Sequence, residues 1–178
     1  MLATDHFCWS GEGWGTKAGF ELARRALGSR VEDRDIDVFG LSPQSVGEFD
    51  IVLFLGVLYH MRDPLGALER AASVARELLI VETEVDLLWR RRPAAAFYPA
   101  GELNGDPTNW WGPNPAAVRA MLLCAGFARA EMVDLSPSLP FRLAKAAVRF
   151  AAKGASPFTT AQRARAVFHA YRSPCESE

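Results

Sequence analysis

The stretch FDIVLFLGVLY, residues 49–59, constrains this chain more than any other. Its apolar residues run on without the alternation of a half-exposed strand, which is the pattern of a strand buried on both faces in a parallel sheet. Such a strand is expected at the centre of its sheet. The run is far short of the roughly 18–20 apolar residues that span a bilayer. No basic stretch followed by an apolar one opens the chain. A protein that is not secreted, and that is cytoplasmic, is the expectation.

Helix and strand patterns alternate on both sides of this run. Met1–Leu2–Ala3 is a short apolar start ending at Thr4–Asp5, followed by a glycine and aromatic loop from His6 to Gly15. Thr16 opens the helix TKAGFELARRAL, with Phe20, Leu22, Ala23, Ala26 and Leu27 as its apolar face and Gly28 in the place of a C-terminal cap. Ile36 and Val38 suggest a short strand. Beyond the long apolar run, Asp63–Pro64 has cap-plus-first-turn chemistry and starts a helix that reaches about Glu77. LLIVETE is a second buried strand. Asn114–Pro115 repeats the cap signal before AAVRAMLLCA, Gly126 ends that helix, and FARAEMVDL reads as a strand. Two helices are expected to close the chain.

Strands alternating with helices predict an α/β fold whose strands are mostly parallel, because parallel neighbours need a crossover helix. With 178 residues and 49% hydrophobic content, the chain is one domain's worth of core, which excludes a disordered or disulfide-stapled class. The cysteines, Cys8, Cys124 and Cys175, show no CxxC spacing, and His6, His60 and His169 are scattered, so reduced thiols and no metal site are expected.

In open α/β sheets, ligands bind beyond the carboxyl ends of the strands. The residues there are Asp5, Asp37, Gly56 to Arg62, and Glu82 to Asp86. Carboxylates in that position suit the hydroxyl and amino groups of a nucleoside better than a phosphate. The segment from Val85 to Pro113, rich in Gly, Pro, Asn and Trp, is long enough to suggest an active-site lid. Within it, Asn109, Trp110, Trp111 and the neighbouring Asn114 offer flat rings and amides for a planar acceptor; a small core internal to the lid is the alternative.

FDIVLFLGVLYHMRDPLGAL resembles the fourth strand and following loop of class I S-adenosylmethionine-dependent methyltransferases. ATDH, FELARRALG, GVLYH and IVETEV, in this order, resemble the branch of wobble-uridine tRNA methyl- and carboxymethyltransferases. The resemblance covers roughly residues 1–135 and implies a Rossmann-like sheet, an S-adenosylmethionine cofactor and a transferase activity. It implies that Asp5 accepts hydrogen bonds from the ribose hydroxyls, with capping of its own loop as the alternative. It places Asp37 and Val38 at the adenine, and Leu55, Gly56 and Val57 against the cofactor. Tyr59 and His60 are the expected reaction-pocket residues, His60 because its imidazole can take a proton near neutral pH; for His60 the alternative is a turn cap. Arg62 and Glu82 join Asn109, Trp110, Trp111 and Asn114 as expected acceptor contacts.

The chain departs from the family pattern in two places. Gly11–Glu12–Gly13–Trp14–Gly15 matches a GxGxG as letters, but it follows Cys8–Trp9–Ser10 and not a strand ending in an acid, so it is read as a decoy. The first strand and its glycine loop are therefore expected to be missing, which leaves sheet edges open. In addition, MRDP replaces a more basic stretch after GVLYH, and no cationic clamp for a carboxylated cofactor is evident. Ordinary methyl transfer, to tRNA or a small molecule, is thus the expectation, with impairment by the shortened N-terminus. A non-catalytic module pairing an open edge with a partner chain or a second copy is the alternative.

Charge divides the chain. Residues 1–141 hold 13 basic and 19 acidic residues, whereas 142–172 hold seven basic residues and no acid. Residues 136–178 are expected to form a basic helical extension to the partial methyltransferase domain of 1–135. Arg142, Lys145, Arg149 and Lys153 recur at helical spacing as one cationic stripe, with Leu143, Ala147 and Phe150 as the packed face. The stripe would meet either solvent or an anionic partner.

Overall fold

The computed structural model describes residues 1–13, 15–154 and 156–173, with the Lys153 side chain excepted. Trp14 of the glycine loop, the Lys153 end of the cationic stripe and Cys175 lie outside the described residues.

The chain begins with β1 (Leu2–Asp5), α1 (Ala18–Ala26) and β2 (Glu32–Asp35), and β1 and β2 pair in parallel. The helix forms where its pattern places it, but its apolar face is not buried: Leu22 and Leu27 are exposed. It is held by charge instead, since Lys17 and Arg24 both bind Asp33. The strand expected at Ile36 and Val38 lies earlier. Val38–Gly40 is a single 3₁₀ turn capped by Asp37, whose carboxylate accepts from the Phe39 N–H at 2.8 Å. The short helix α2 (Pro43–Val46) follows, closed by a Ser42–Ser45 capping box.

The main sheet is built from β3 (Phe49–Leu55), β4 (Ala75–Val85), β7 (Arg129–Ser136) and β8 (Ala164–Tyr171) in the order β3-β4-β8-β7. Strands β3, β4 and β7 run one way and β8 alone runs against them. The mostly parallel α/β sheet is therefore present, with β8 as its exception. That strand also corrects the expectation that two helices close the chain: α5 (Leu139–Lys153) and α6 (Pro157–Ala161) form, and the chain then returns to the sheet. Its burial alternates, with Ala164, Ala166, Phe168 and Ala170 inward and Arg165, Val167, His169 and Tyr171 outward.

One face of this sheet is covered by α3 (Pro64–Ser73) and α4 (Pro115–Cys124). Val52 and Phe54 from β3, Leu79, Val81 and Val85 from β4, and the inward residues of β8 pack there against Leu68, Ala71, Ala72, Val118 and Leu122. Full burial of each of the larger side chains stabilises the fold by about 1.5–3 kcal/mol relative to exposure. Both helices start as their caps predict: Asp63 accepts from Gly66 N–H, and Asn114 from Ala117 N–H.

The other face corrects a second expectation. β3 is not central; among the described residues it pairs with β4 alone. Ile51, Leu53 and Leu55 are 57%, 60% and 50% exposed, so one apolar face of a strand composed for double burial is open to solvent.

The α5 helix also turns differently from expectation. Its sheltered side is Arg142 and Ala146, while Leu143, Ala147 and Phe150 are exposed. Arg142, 6% exposed, donates to the Ala161 and Pro137 carbonyls at 3.1 Å, which draws the charged stripe toward the protein. No helix among the described residues is long and apolar enough to cross a membrane.

Candidate active site

The site grows from the ends of β3 and β4. At the end of β3, Gly56 takes φ +72°, a conformation that favours glycine, while its N–H donates to the Glu82 carbonyl at 3.0 Å. A Cβ here would lie 3.7–3.8 Å from Arg165, Glu82 and the Tyr59 hydroxyl. The chain then makes a 3₁₀ turn, Leu58–His60, that buries Leu58 and Tyr59 and leaves His60 partly exposed. The rings of Tyr59 and His60 lie 4.2 Å apart.

Glu82 and Glu84 stand on the outward face of β4, and Arg165 of β8 sits directly across from Glu84. The Arg165 guanidinium makes a two-bond ion pair with Glu82, one bond at 2.8 Å, lies 3.4 Å from Glu84, and donates to the Tyr59 hydroxyl at 3.4 Å. These contacts, Glu82 foremost, raise the affinity of Arg165 for its proton. Burial pushes the Glu84 carboxyl up, with Arg165 opposing. Two carboxylates against one guanidinium leave the cluster net negative.

The long loop closes over this turn. It contains a hairpin, β5 (Ala95–Phe97) and β6 (Trp111–Pro113), that sequence patterning did not indicate. Trp110 N–H donates to the Tyr59 carbonyl at 2.9 Å, and His60 Nδ1 meets Thr108 at 3.0 Å. The Arg62 guanidinium lies over the Trp110 ring at 4.5 Å, and Phe97 contacts both Trp110 and Trp111. The two tryptophans are therefore part of an aromatic cluster that includes Phe97.

The base of the loop is pinned by Asp86, buried at the end of β4. It accepts from the Tyr98 hydroxyl and, at 3.0 Å, from Arg163. Burial, and then the Asp86 bond, pushes the Tyr98 hydroxyl well above the ordinary phenol range.

Not every expected contact residue faces the site. Asn114 is fully buried; beyond its cap it donates to the Arg90 and Arg92 carbonyls and accepts from Ala94 N–H. Asn109 is buried too, and its amide donates to the Leu103 carbonyl at 2.9 Å. Both amides hold the loop together instead of presenting themselves to an acceptor. Trp111 is half-buried in β6.

The acids at the ends of β1 and β2 gather around His6. Asp35 pairs with His6 at 2.7 Å, Asp5 accepts from Cys8 N–H at 3.2 Å, and the Asp35 hydrogen bond, followed by the charges of Asp35, Asp37 and Asp5, raises the His6 pKa. Asp35 was not singled out from the sequence. Val38 packs against the main core and ties this unit to it. The glycine loop is filled by its own backbone: a Cβ at Gly13 would fall 2.3 Å from the Phe7 carbonyl oxygen. Packing therefore requires glycine at position 13, and a Cβ at Gly11 would be tight at 3.1 Å, whereas one at Gly15 would make ordinary contact at 3.5 Å.

No protein-family model matches the chain. Among characterised proteins, a tRNA U34 carboxymethyltransferase of Methylococcus capsulatus is 30% identical over 103 residues, 54% of this chain and 29% of that protein. One from Pseudomonas aeruginosa is 31% identical over 53% of this chain and 29% of that protein. The chain thus spans under a third of the length of the curated relatives it matches. Among solved structures, the N-terminal domain of EvdMO1 with SAH bound superposes with a TM-score of 0.61 at 20% identity, covering 96% of this chain and 63% of that one. Magnesium protoporphyrin IX methyltransferase from Synechocystis PCC 6803 with bound SAM gives a TM-score of 0.52 at 15% identity over 97% of this chain and 59% of that one. An O-methyltransferase family protein from Burkholderia thailandensis gives 0.58 at 15% identity over 98% and 44%. The chain has the Rossmann-like fold of the class I S-adenosylmethionine-dependent methyltransferases, and over about half its length it is similar to their tRNA U34 carboxymethyltransferase branch.

Proposed function

We propose that this chain carries an S-adenosylmethionine site and transfers a methyl group at the Tyr59–His60 turn. The observation that carries the proposal is the convergence of Tyr59 and His60, just past β3, with Glu82 of β4 and Arg165 of β8, under a loop bonded to that same turn. When bound, the cofactor supplies an electrophilic sulfonium methyl. The residues fit such a group: the net negative Glu82–Glu84–Arg165 cluster beside Gly56 favours a cation. Asp5 and Asp37 would accept hydrogen bonds from the nucleoside, beside Val38, and Leu55–Val57 would back it. Tyr59 and His60 would orient the acceptor, with Arg62 and Trp110 offering a flat charged and aromatic surface.

The relatives' tRNA substrate makes tRNA the first acceptor to try, a small molecule the second. The test is calorimetric titration of the chain with S-adenosylhomocysteine, beside Asp5→Ala and Tyr59→Phe. Micromolar binding weakened at least tenfold by Asp5→Ala is expected. A folded chain that binds nothing overturns the proposal.

Two observations favour other readings. Arg165 beside the Tyr59 hydroxyl is a cationic group of the kind a carboxylated cofactor would need. Two glutamates already occupy it, which favours ordinary methyl transfer; preferential binding of the carboxylated cofactor would reverse that choice. The apolar face of β3, and its edge, unpaired among the described residues, favour a non-catalytic module that associates with a partner chain or a second copy. Elution in gel filtration as a 19.5 kDa monomer would overturn that reading.

A further inference from the structure

His60 meets the long loop through one ring nitrogen. Its Nδ1 lies 3.0 Å from the Thr108 carbonyl oxygen and 3.0 Å from Thr108 Oγ1. Thr108 is itself held by Asp106, whose Oδ1 accepts from the Thr108 N–H at 2.8 Å and from its hydroxyl at 2.6 Å. Those two bonds, the hydroxyl first, hold the Asp106 carboxyl below the usual carboxylate range, so it is ionised near neutral pH and only accepts.

The protons can then be assigned in order. A hydroxyl has one hydrogen, and Thr108 directs it at Asp106, so Oγ1 faces His60 with lone pairs alone. The Thr108 carbonyl has no hydrogen to give. Both groups facing Nδ1 are acceptors, so Nδ1 bears the hydrogen. In a neutral imidazole, Nε2 is then left with its lone pair. The Trp110 N–H bond to the Tyr59 carbonyl, two residues further on, keeps the loop in register with the turn.

We propose that Asp106 and Thr108 are positioning residues: they fix neutral His60 as its Nδ1–H tautomer and leave Nε2 as the proton acceptor of the site. The use of that lone pair rests on the methyl-transfer reading; the tautomer itself does not. In the transfer, the acceptor heteroatom bonds to the methyl carbon, the carbon–sulfur bond breaks with its electron pair going to sulfur, and the acceptor's proton passes to His60 Nε2.

The test is a long-range ¹H–¹⁵N correlation on the ¹⁵N-histidine-labelled full chain, at a pH where His60 is neutral, with His60→Gln identifying its signals. The expected result is a protonated Nδ1 and an unprotonated Nε2. Asp106→Ala, which releases the turn at Thr108, is expected to give a mixture with the Nε2–H form, whereas Thr108→Ser keeps the wild-type pattern. If Asp106→Ala does not fold, Asp106→Gly, which likewise frees the Thr108 hydroxyl to turn its hydrogen toward Nδ1, takes its place with the same expectation. An Nε2–H tautomer in the wild type overturns the proposal, as does a wild-type pattern in the folded alanine or glycine variant. No cofactor is present in this measurement, so its failure is separate from a failure of S-adenosylhomocysteine binding, which would overturn only the methyl-transfer reading.

Discussion

Arg165 on β8 pairs with Glu82 on β4 across 83 residues of sequence, with one bond of 2.8 Å, and the same guanidinium reaches the Tyr59 hydroxyl at 3.4 Å. One ion pair thus joins the last strand of the described chain to the turn expected to hold the reaction pocket. The guanidinium is 45% exposed, so solvent screens the pair. A double-mutant cycle with Arg165→Ala and Glu82→Gln, followed by urea unfolding, is expected to give a coupling of about 0.5–1 kcal/mol. A coupling of zero would mean that the pair does not organise the site.

Asn114 tests the assignment of a buried amide to stability instead of recognition. Asn114→Ser keeps a neutral cap acceptor for Ala117 N–H but loses the donors to the Arg90 and Arg92 carbonyls, whereas Asn114→Ala loses both. Alanine is expected to cost about 1 kcal/mol more than serine, the worth of the helix cap. Equal urea midpoints for the two variants would contradict the cap.

Glu84 sets a pH dependence with a definite sign. Burial raises its pKa above the ordinary value of 4.5, so the folded state holds this proton more tightly than the unfolded chain. Its contribution is therefore full below 4.5 and fades as pH rises through the higher folded value. Glu84→Gln cannot ionise, so the stability of the wild type relative to this variant is expected to fall as pH rises from about 4 through the folded-state value. Thermal melts across that range check it; a difference that grows with pH would make the Arg165 attraction the governing term.

The basic segment separates into two kinds of residue. Arg142 is buried and bonded to two carbonyls, so Arg142→Ala is expected to destabilise the fold by about 2–3 kcal/mol through the unpaired groups it leaves. Lys145 is exposed and Arg149 half-buried, and these are the residues placed to meet an anion. If tRNA binds, replacing both with alanine is expected to lower the slope of log affinity against log salt by about 1.4–1.8. An unchanged slope would show that α5 does not contact the nucleic acid.

Local pattern made much of the fold legible. The Asp63 and Asn114 caps, the strands β3 and β4, and the helices after them follow from neighbours in sequence, and the structure keeps them, though not the burial of both faces of β3. The strand β8 was missed because alanine is a weak strand former, although Ala164, Ala166, Phe168 and Ala170 do alternate with larger or charged residues. Missing β8 also hid Arg165, the cation that the motif GVLYH alone does not supply. The hairpin β5–β6 was hidden in the same way, since strands of three residues, AAF and WGP, carry almost no periodic signal.

By itself, the sequence determined the alternation of helix and strand, the helix starts, and the turn that carries Tyr59 and His60, because each depends on bonds between residues a few positions apart. Tertiary structure decided that β3 lies at an edge, that α5 turns Arg142 inward, and that Arg165, Glu82, Thr108 and Asp106 meet at that turn. Those arrangements depend on strand order and on polar groups finding partners distant in sequence, 48 residues for His60 with Thr108 and 83 for Arg165 with Glu82, and no local period records such a pairing.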